Sequence, residues 1–193
     1  MHRSRLTLAL AATLAAALLA ACATTPTQPQ PLEAVADLRA VNPPQPGASA
    51  PVTGEFHFRE WKNEVVINGR IENVPPGLPR RLPSKAMHIH DGNCSAPNAG
   101  SIGGIFNPTH KQHNRPGFAG MVGDLPTVRA DQHGVAEMED YISPVIKLDG
   151  PNSVIGKVLI LHRDSDSWTS QPDGNAGPVI ACGVIRLVKP DQK

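Results

Sequence analysis

Aromatic residues make up only 4% of the 193-residue chain, and charged residues only 18%. With 17 Gly and 20 Pro cutting the sequence into short runs, this composition excludes a long helical bundle or coiled coil and suits short strands joined by turns. An excess of one charge is lacking too, since 18 Lys and Arg face 17 Asp and Glu. No basic surface is implied, so nucleic acid is not an expected partner. Apolar residues run on at length only near the N-terminus, and no helical window follows residue 50.

The N-terminal run has the organisation of an export signal. His2-Arg3-Ser4-Arg5 gives a positive start, and Leu6 to Ala17 an apolar stretch too short to span a membrane. It ends in Leu19-Ala20-Ala21-Cys22, which resembles a bacterial lipobox cut before Cys22, the residue that would carry the lipid; cleavage after an Ala as in an ordinary secretory signal is the alternative. Ala23, not Asp, follows Cys22, which points to a lipid anchor in the outer membrane facing the periplasm. The expected organisation is a signal peptide over 1–21, a Pro, Thr and Gln-rich tether over 22–51 that could hold a first strand at 32–41, and a β domain over 52–193. Loss of Arg3 and Arg5 with the signal takes the 18 basic residues to 16 against 17 acidic ones, a mature charge of −1.

With Cys22 assigned to lipid, Cys94 and Cys182 remain, and in an oxidising compartment a disulfide is the default reading. Short runs rich in Val, Ile and aromatics recur at Thr53 to Trp61, Glu64 to Val74, Ala86 to His90, Val135 to Ile142, Val154 to His162 and Val179 to Val188, with Ala119 to Val128 a further candidate. Several alternate as half-buried antiparallel strands do, so the expected fold is an all-β sandwich or barrel. Within it, His88 and His90 are two residues apart on a strand, project from one face and can grip one metal. His162 closes another strand, after Val158-Leu159-Ile160-Leu161; three imidazoles suit copper or zinc.

On these residues the sequence resembles the copper,zinc superoxide dismutases of the bacterial periplasmic kind. Met87-His88-Ile89-His90 is similar to the family's first copper-ligand pair, and Cys94-Ser95-Ala96-Pro97 follows. Gly103-Gly104-Ile105-Phe106-Asn107-Pro108 resembles the Gly-Gly-His-Phe-Asn-Pro segment, and Val122-Gly123-Asp124-Leu125 the Val-Gly-Asp-Leu segment. Val158 to His162 resembles the strand ending in the last copper ligand, and Ala181-Cys182-Gly183-Val184-Ile185 the family's C-terminus. The resemblance implies an eight-stranded Greek-key β-barrel of immunoglobulin-like type. It further implies one copper on His88, His90 and His162, zinc positions at His113 and Asp124, and Asp166 as the carboxylate linking a copper His to a zinc His.

Three departures bear on function. Ile105 stands at the position of the His that bridges copper and zinc, Met121 at another zinc His, and Val179 at the Arg that guides superoxide. His113 and Asp124 supply two of four zinc ligands, so the zinc site reads as degraded, with His110 as the candidate substitute ligand. The other histidines, His57 and His133, carry no motif. The expectation is therefore a dismutase-like copper protein, its dismutation impaired or absent and superoxide its candidate substrate. A working dismutase, copper-only or with a relocated zinc, is the alternative.

Overall fold

The structure is a computed structural model that describes residues 30–41, 50–75, 84–95 and 102–188. The signal segment, Cys22 and most of the tether lie outside these residues. The described strands are β1 (Glu33–Ala40), β2 (Thr53–Trp61), β3 (Glu64–Glu72), β4 (Ser84–Lys85), β5 (Met87–His90), β6 (Val128–Arg129), β7 (Ala136–Ser143), β8 (Val158–His162) and β9 (Val179–Leu187). The tether's candidate strand at 32–41 is thus β1, paired with β2 and β9 inside the sheet.

Period-2 alternation explains which faces turn inward. Phe56 and Phe58 of β2, Ile67 and Ile71 of β3, and Ala34, Ala36 and Leu38 of β1 all enter one core. Gly69 opposes Phe56 across β2 and β3, and the Phe56 ring fills the space a side chain at 69 would need. A small residue beside a large one lets the sheet curl tightly without leaving a void.

Seven strands form one antiparallel sheet in the order β5-β8-β9-β1-β2-β3-β7, and β4 pairs with β6. Ser84–His90 is one strand interrupted at Ala86: its first part pairs with β6, its second with β8. A bridge between Ala130 and Ala136 joins the end of β6 to the start of β7. The strands then close into a ring of eight in which β3 and β4, consecutive in the chain, are separated by β7 and β6, the strand order of a Greek key. Closure removes the open edges that a curled sheet would otherwise expose. Of the further strand candidate Ala119 to Val128, only Val128 lies in a regular strand, β6 (Val128–Arg129). The preceding residues turn about Asp124, whose Oδ2 accepts the backbone N–H of Met121 at 2.8 Å and of Asn114 at 3.1 Å.

Cys94 and Cys182 form a disulfide, with Cα atoms 5.8 Å apart across a sequence separation of 88 residues. The bridge ties the loop after β5 to β9. Cys182 packs in a small apolar cluster with Val41, Ile102, Val158 and Ile160, separate from the main core.

Candidate metal centre

In β5, Met87 and Ile89 enter the core, which turns His88 and His90 to the outer face of the barrel. Leu159 and Leu161 of β8 do the same, leaving Val158, Ile160 and His162 outward. Although outward, His88, His90 and His162 are 0%, 6% and 5% exposed, and residues of two loops lie against them: Gly103, Ile105 and Asp124 of one, Asp166 and Gly177 of the other. The two loops are tied to each other. Gln171 accepts the His113 N–H at 3.0 Å and donates to the His113 carbonyl at 2.7 Å. The Arg115 guanidinium sits 4.1 Å over the Trp168 ring.

Hydrogen bonds on the far side of each ring assign the tautomers. His90 Nδ1 donates to the Gly103 carbonyl and His162 Nδ1 to the Gly177 carbonyl, both at 2.9 Å. His88 Nε2 donates to Asp166 Oδ2 at 3.0 Å. The lone pairs left over belong to His88 Nδ1, His90 Nε2 and His162 Nε2. Ligand atoms of these three residues lie within 4.8 Å of one another, and His88 Nδ1 approaches His162 Nε2 to 3.3 Å. His90 Nε2 is buried and has no hydrogen-bond partner. Three converging lone pairs without a proton between them are a cation site, and imidazole donors suit copper.

Burial keeps the ligands in the form that binds metal. Desolvation, the largest effect on both, lowers the pKa of His90 to about 4 and that of His162 to about 3, against weaker opposition from their carbonyl partners. Both are neutral near pH 7, so a metal would displace no proton from them.

Beside this cluster, His113 lies between two carboxylates, with Nδ1 2.8 Å from Asp124 Oδ1 and Nε2 3.0 Å from Asp166 Oδ1. All three side chains are buried. His88, His113 and Asp124 also offer ligand atoms within 4.8 Å, but His88 Nε2 is already committed to Asp166. Ile105 and Met121 are buried and offer no nitrogen or oxygen donor from their side chains. Of the zinc positions that the sequence resemblance implies, His113 and Asp124 keep donors and Ile105 and Met121 do not, where closed structural zinc sites use four. His110 is exposed and belongs to neither ligand group. Nor do the other histidines among the described residues: His57 contacts Glu55 at 2.7 Å, and His133 contacts Gln132 in the 131–135 turn, all of them exposed.

Ile105 forms an isolated antiparallel bridge with His90, and Val179 is the β9 partner of His162. Sequence reasoning missed the Gly103 and Gly177 carbonyls, because a backbone acceptor leaves no side-chain signal. Their positive φ values of 69° and 75° are the conformational feature that glycine serves there. It also missed Lys85, whose buried ammonium donates to the Arg163 carbonyl at 2.7 Å at the start of the loop that carries Asp166.

Fold and site together define a Greek-key barrel with a buried three-His cluster on its outer face, compatible with copper binding. The family model described as copper/zinc superoxide dismutase matches residues 52–185, and the chain belongs to that family. It is 33% identical over 146 residues to the extracellular superoxide dismutase [Cu-Zn] of Brugia pahangi, covering 70% of each chain. With superoxide dismutase [Cu-Zn] 2 of Aquifex aeolicus (strain VF5) it shares 34% over 142 residues, 70% of this chain and 80% of that one. Among solved structures, a crystal structure of the clock protein EA4 superposes with a TM-score of 0.68 at 29% identity, covering 84% of this chain and 98% of the other.

Proposed function

We propose that this chain is an exported copper-binding lipoprotein, anchored through Cys22 to the outer membrane and facing the periplasm. In this reading it holds one copper on His88, His90 and His162, carries little zinc, and has impaired or absent superoxide dismutation. The observation that carries the reading is the convergence of three oriented imidazole lone pairs beside a zinc position with two donors. Export is supported by the disulfide and by a relative named as extracellular.

Bound copper would supply one-electron exchange. Of this chain's residues, His88 Nδ1, His90 Nε2 and His162 Nε2 would hold it, while Asp166 and two carbonyls fix the rings. Ile105 cannot carry a proton to a reduced oxygen species as an imidazole could. Val179 gives no positive charge to draw a superoxide anion or hydrogen-bond to it. A second reading, dismutation on copper alone, is favoured by the intact triad and by Asp166 on His88.

The test loads the full chain with Cu(II), removes excess metal, counts copper and zinc per chain, and compares superoxide removal with that of free copper. One copper, little zinc and removal no faster than free copper is the expected result. Full zinc occupancy, or turnover near the diffusional ceiling of about 10⁸ to 10⁹ M⁻¹s⁻¹, for which superoxide dismutase is itself a standard example, overturns it.

A further inference from the structure

We propose that the end of the barrel at which β1 begins is a lipid-docking surface, seated through Trp61 and Ile142 on the bilayer that holds the Cys22 anchor. The inference rests on the lipid-anchored reading above and adds what the barrel itself does at that membrane.

Position comes first. Glu33, the first residue of β1, pairs with Arg59 of β2, and its carbonyl accepts the Val188 N–H at 2.8 Å. Arg59 pairs with Val66 of β3, and Val66 with Ile142 of β7. All of these residues lie within two positions of one end of their strands, where the β2–β3 turn at Lys62-Asn63 also stands. Six large apolar side chains are exposed among the described residues, and four of them belong to this end: Trp61 at 42%, Ile142 at 43%, and Leu187 and Val188 at 44% each. Single exposed apolar side chains are ordinary on a protein in water; a collection at the end where the chain arrives from its anchor is not.

Shape comes second. Phe56 and Phe58 enter the core, so Trp61, at odd spacing from Phe58, points outward from the wall. Val66, between the inward Val65 and Ile67, points outward too. Ile142 stands directly opposite Val66, and Trp61 on its diagonal, a separation of about 7–8 Å that an indole can bridge. The three make an apolar strip. The Lys62 ammonium sits 4.1 Å over the Trp61 ring, and Lys147 donates to the Asn63 carbonyl, tying the turn to the segment after β7. An indole beneath an ammonium suits a lipid–water boundary, where the ring lies at headgroup depth and the Lys head stays hydrated. Arg59 is a second cation here, but Glu33, Glu60 and Glu64 bring acids to the same end, so apolar burial and not net charge leads the association.

Reach comes third. Cys22 precedes Glu33 by 33 − 22 = 11 residues, which span at most about 36–40 Å. A short linker holds the barrel beside the bilayer at an effective concentration on the order of mM. A contact too weak to capture a free protein is therefore occupied in an anchored one.

The experiment reconstitutes the full chain in vesicles of phosphatidylethanolamine and phosphatidylglycerol, with and without bromine on the acyl chains, and reads tryptophan fluorescence. The chain has two Trp, so Trp61→Phe, a change at one exposed side chain, leaves Trp168 as the internal reference. Brominated lipid should quench the unmodified chain, quench Ile142→Asn less, and spare Trp61→Phe. Quenching that is absent, or that persists unchanged in Trp61→Phe, overturns docking at this end and leaves lipid anchoring in place. Full quenching in Ile142→Asn overturns the part assigned to Ile142. A Cys22→Ser chain that sediments as a dimer and becomes monomeric with Trp61→Asp puts a second copy on this end and overturns docking. An unmodified chain that does not float with the vesicles overturns the anchor itself, and this inference with it.

Discussion

Asp166 and His88 meet in the buried wall of the metal centre, with Oδ2 of the carboxylate 3.0 Å from Nε2 of the imidazole and side-chain exposures of 1% and 0%. The second oxygen of Asp166 faces His113 Nε2, also at 3.0 Å, so one carboxylate orients both a triad ligand and a neighbouring ring. Gly174 makes this possible. At φ +68° it passes so close that an added Cβ would strike Asp166 Oδ1 and come within 2.7 Å of His113 Nε2.

Asp166→Asn leaves one oxygen for two imidazoles and removes the negative charge that strengthens His88 as a donor. Copper affinity should fall by about 10- to 100-fold, the usual cost of losing a partner behind a metal ligand. Chelator competition measures it, and an unchanged dissociation constant would mean that His88 is held by packing alone.

Reducing Cys94 and Cys182, or replacing both by Ser, releases a loop with a sequence separation of 88 residues. Loss of a native bridge costs about 2–5 kcal/mol, with chain entropy placing a loop of this length towards the upper end. Denaturant unfolding with and without reductant reads the difference; coincident midpoints would show that the bridge contributes nothing to stability.

Acid should destabilise the metal-free chain at milder pH than carboxylate titration alone would. In the unfolded chain the imidazoles take up protons as pH falls through about 6.5. In the folded chain His90 waits until about pH 4 and His162 until about pH 3. Between these limits the unfolded state binds more protons, so stability drops as pH falls from about 6.5 and the loss is complete below about 3. Urea midpoints at pH 7.5 and 4.5 check the sign, and His90→Gln should flatten the slope. A midpoint higher at pH 4.5 would contradict the depressed values.

Restoring Ile105→His, Met121→His and Val179→Arg together should raise zinc uptake towards one per chain and speed superoxide removal. Val179→Arg alone should act through the salt-sensitive approach of the anion. Metal analysis and turnover against ionic strength separate the two effects. A triple variant that folds but takes up no zinc would show that the loops have closed over the position.

Cys22→Ser should move the chain from the membrane fraction to a soluble or unprocessed form. Fractionation that does not change with this substitution rejects lipid anchoring.

Much of the barrel could be read in the sequence from short β-rich runs bounded by turns: Thr53–Trp61, where burial alternates through Phe56 and Phe58, is bounded in the structure as its pattern predicts, and Glu64–Glu72, with Val65, Val66 and Ile67 buried in a row, ends two residues short of expectation. The His-x-His pair announced itself by the same period, with Met87 and Ile89 inward between them. The stretch from 119 to 127 misled because its apolar residues serve a turn around a buried carboxylate, where Gly123 N bonds to the Phe106 carbonyl at 2.9 Å and Asp124 meets His88 in a single bridge. Periodicity reports which side chains are buried; it does not distinguish a strand from a loop folded over a polar anchor. The tie between Gln171 and His113 spans 58 residues and carries no local pattern at all.

The main core and the apolar cluster behind the metal centre are distinct, one inside the barrel and one on its outer wall. Substitutions at the outer wall therefore draw on a different store of packing energy from the one that makes the chain fold. Ile105 and Val179 face that outer wall across from His90 and His162, not the barrel interior. A scaffold divided in this way can exchange one reactive chemistry for another, or shed it, while the folding problem stays solved: the wall is a rewritable surface on a fixed frame.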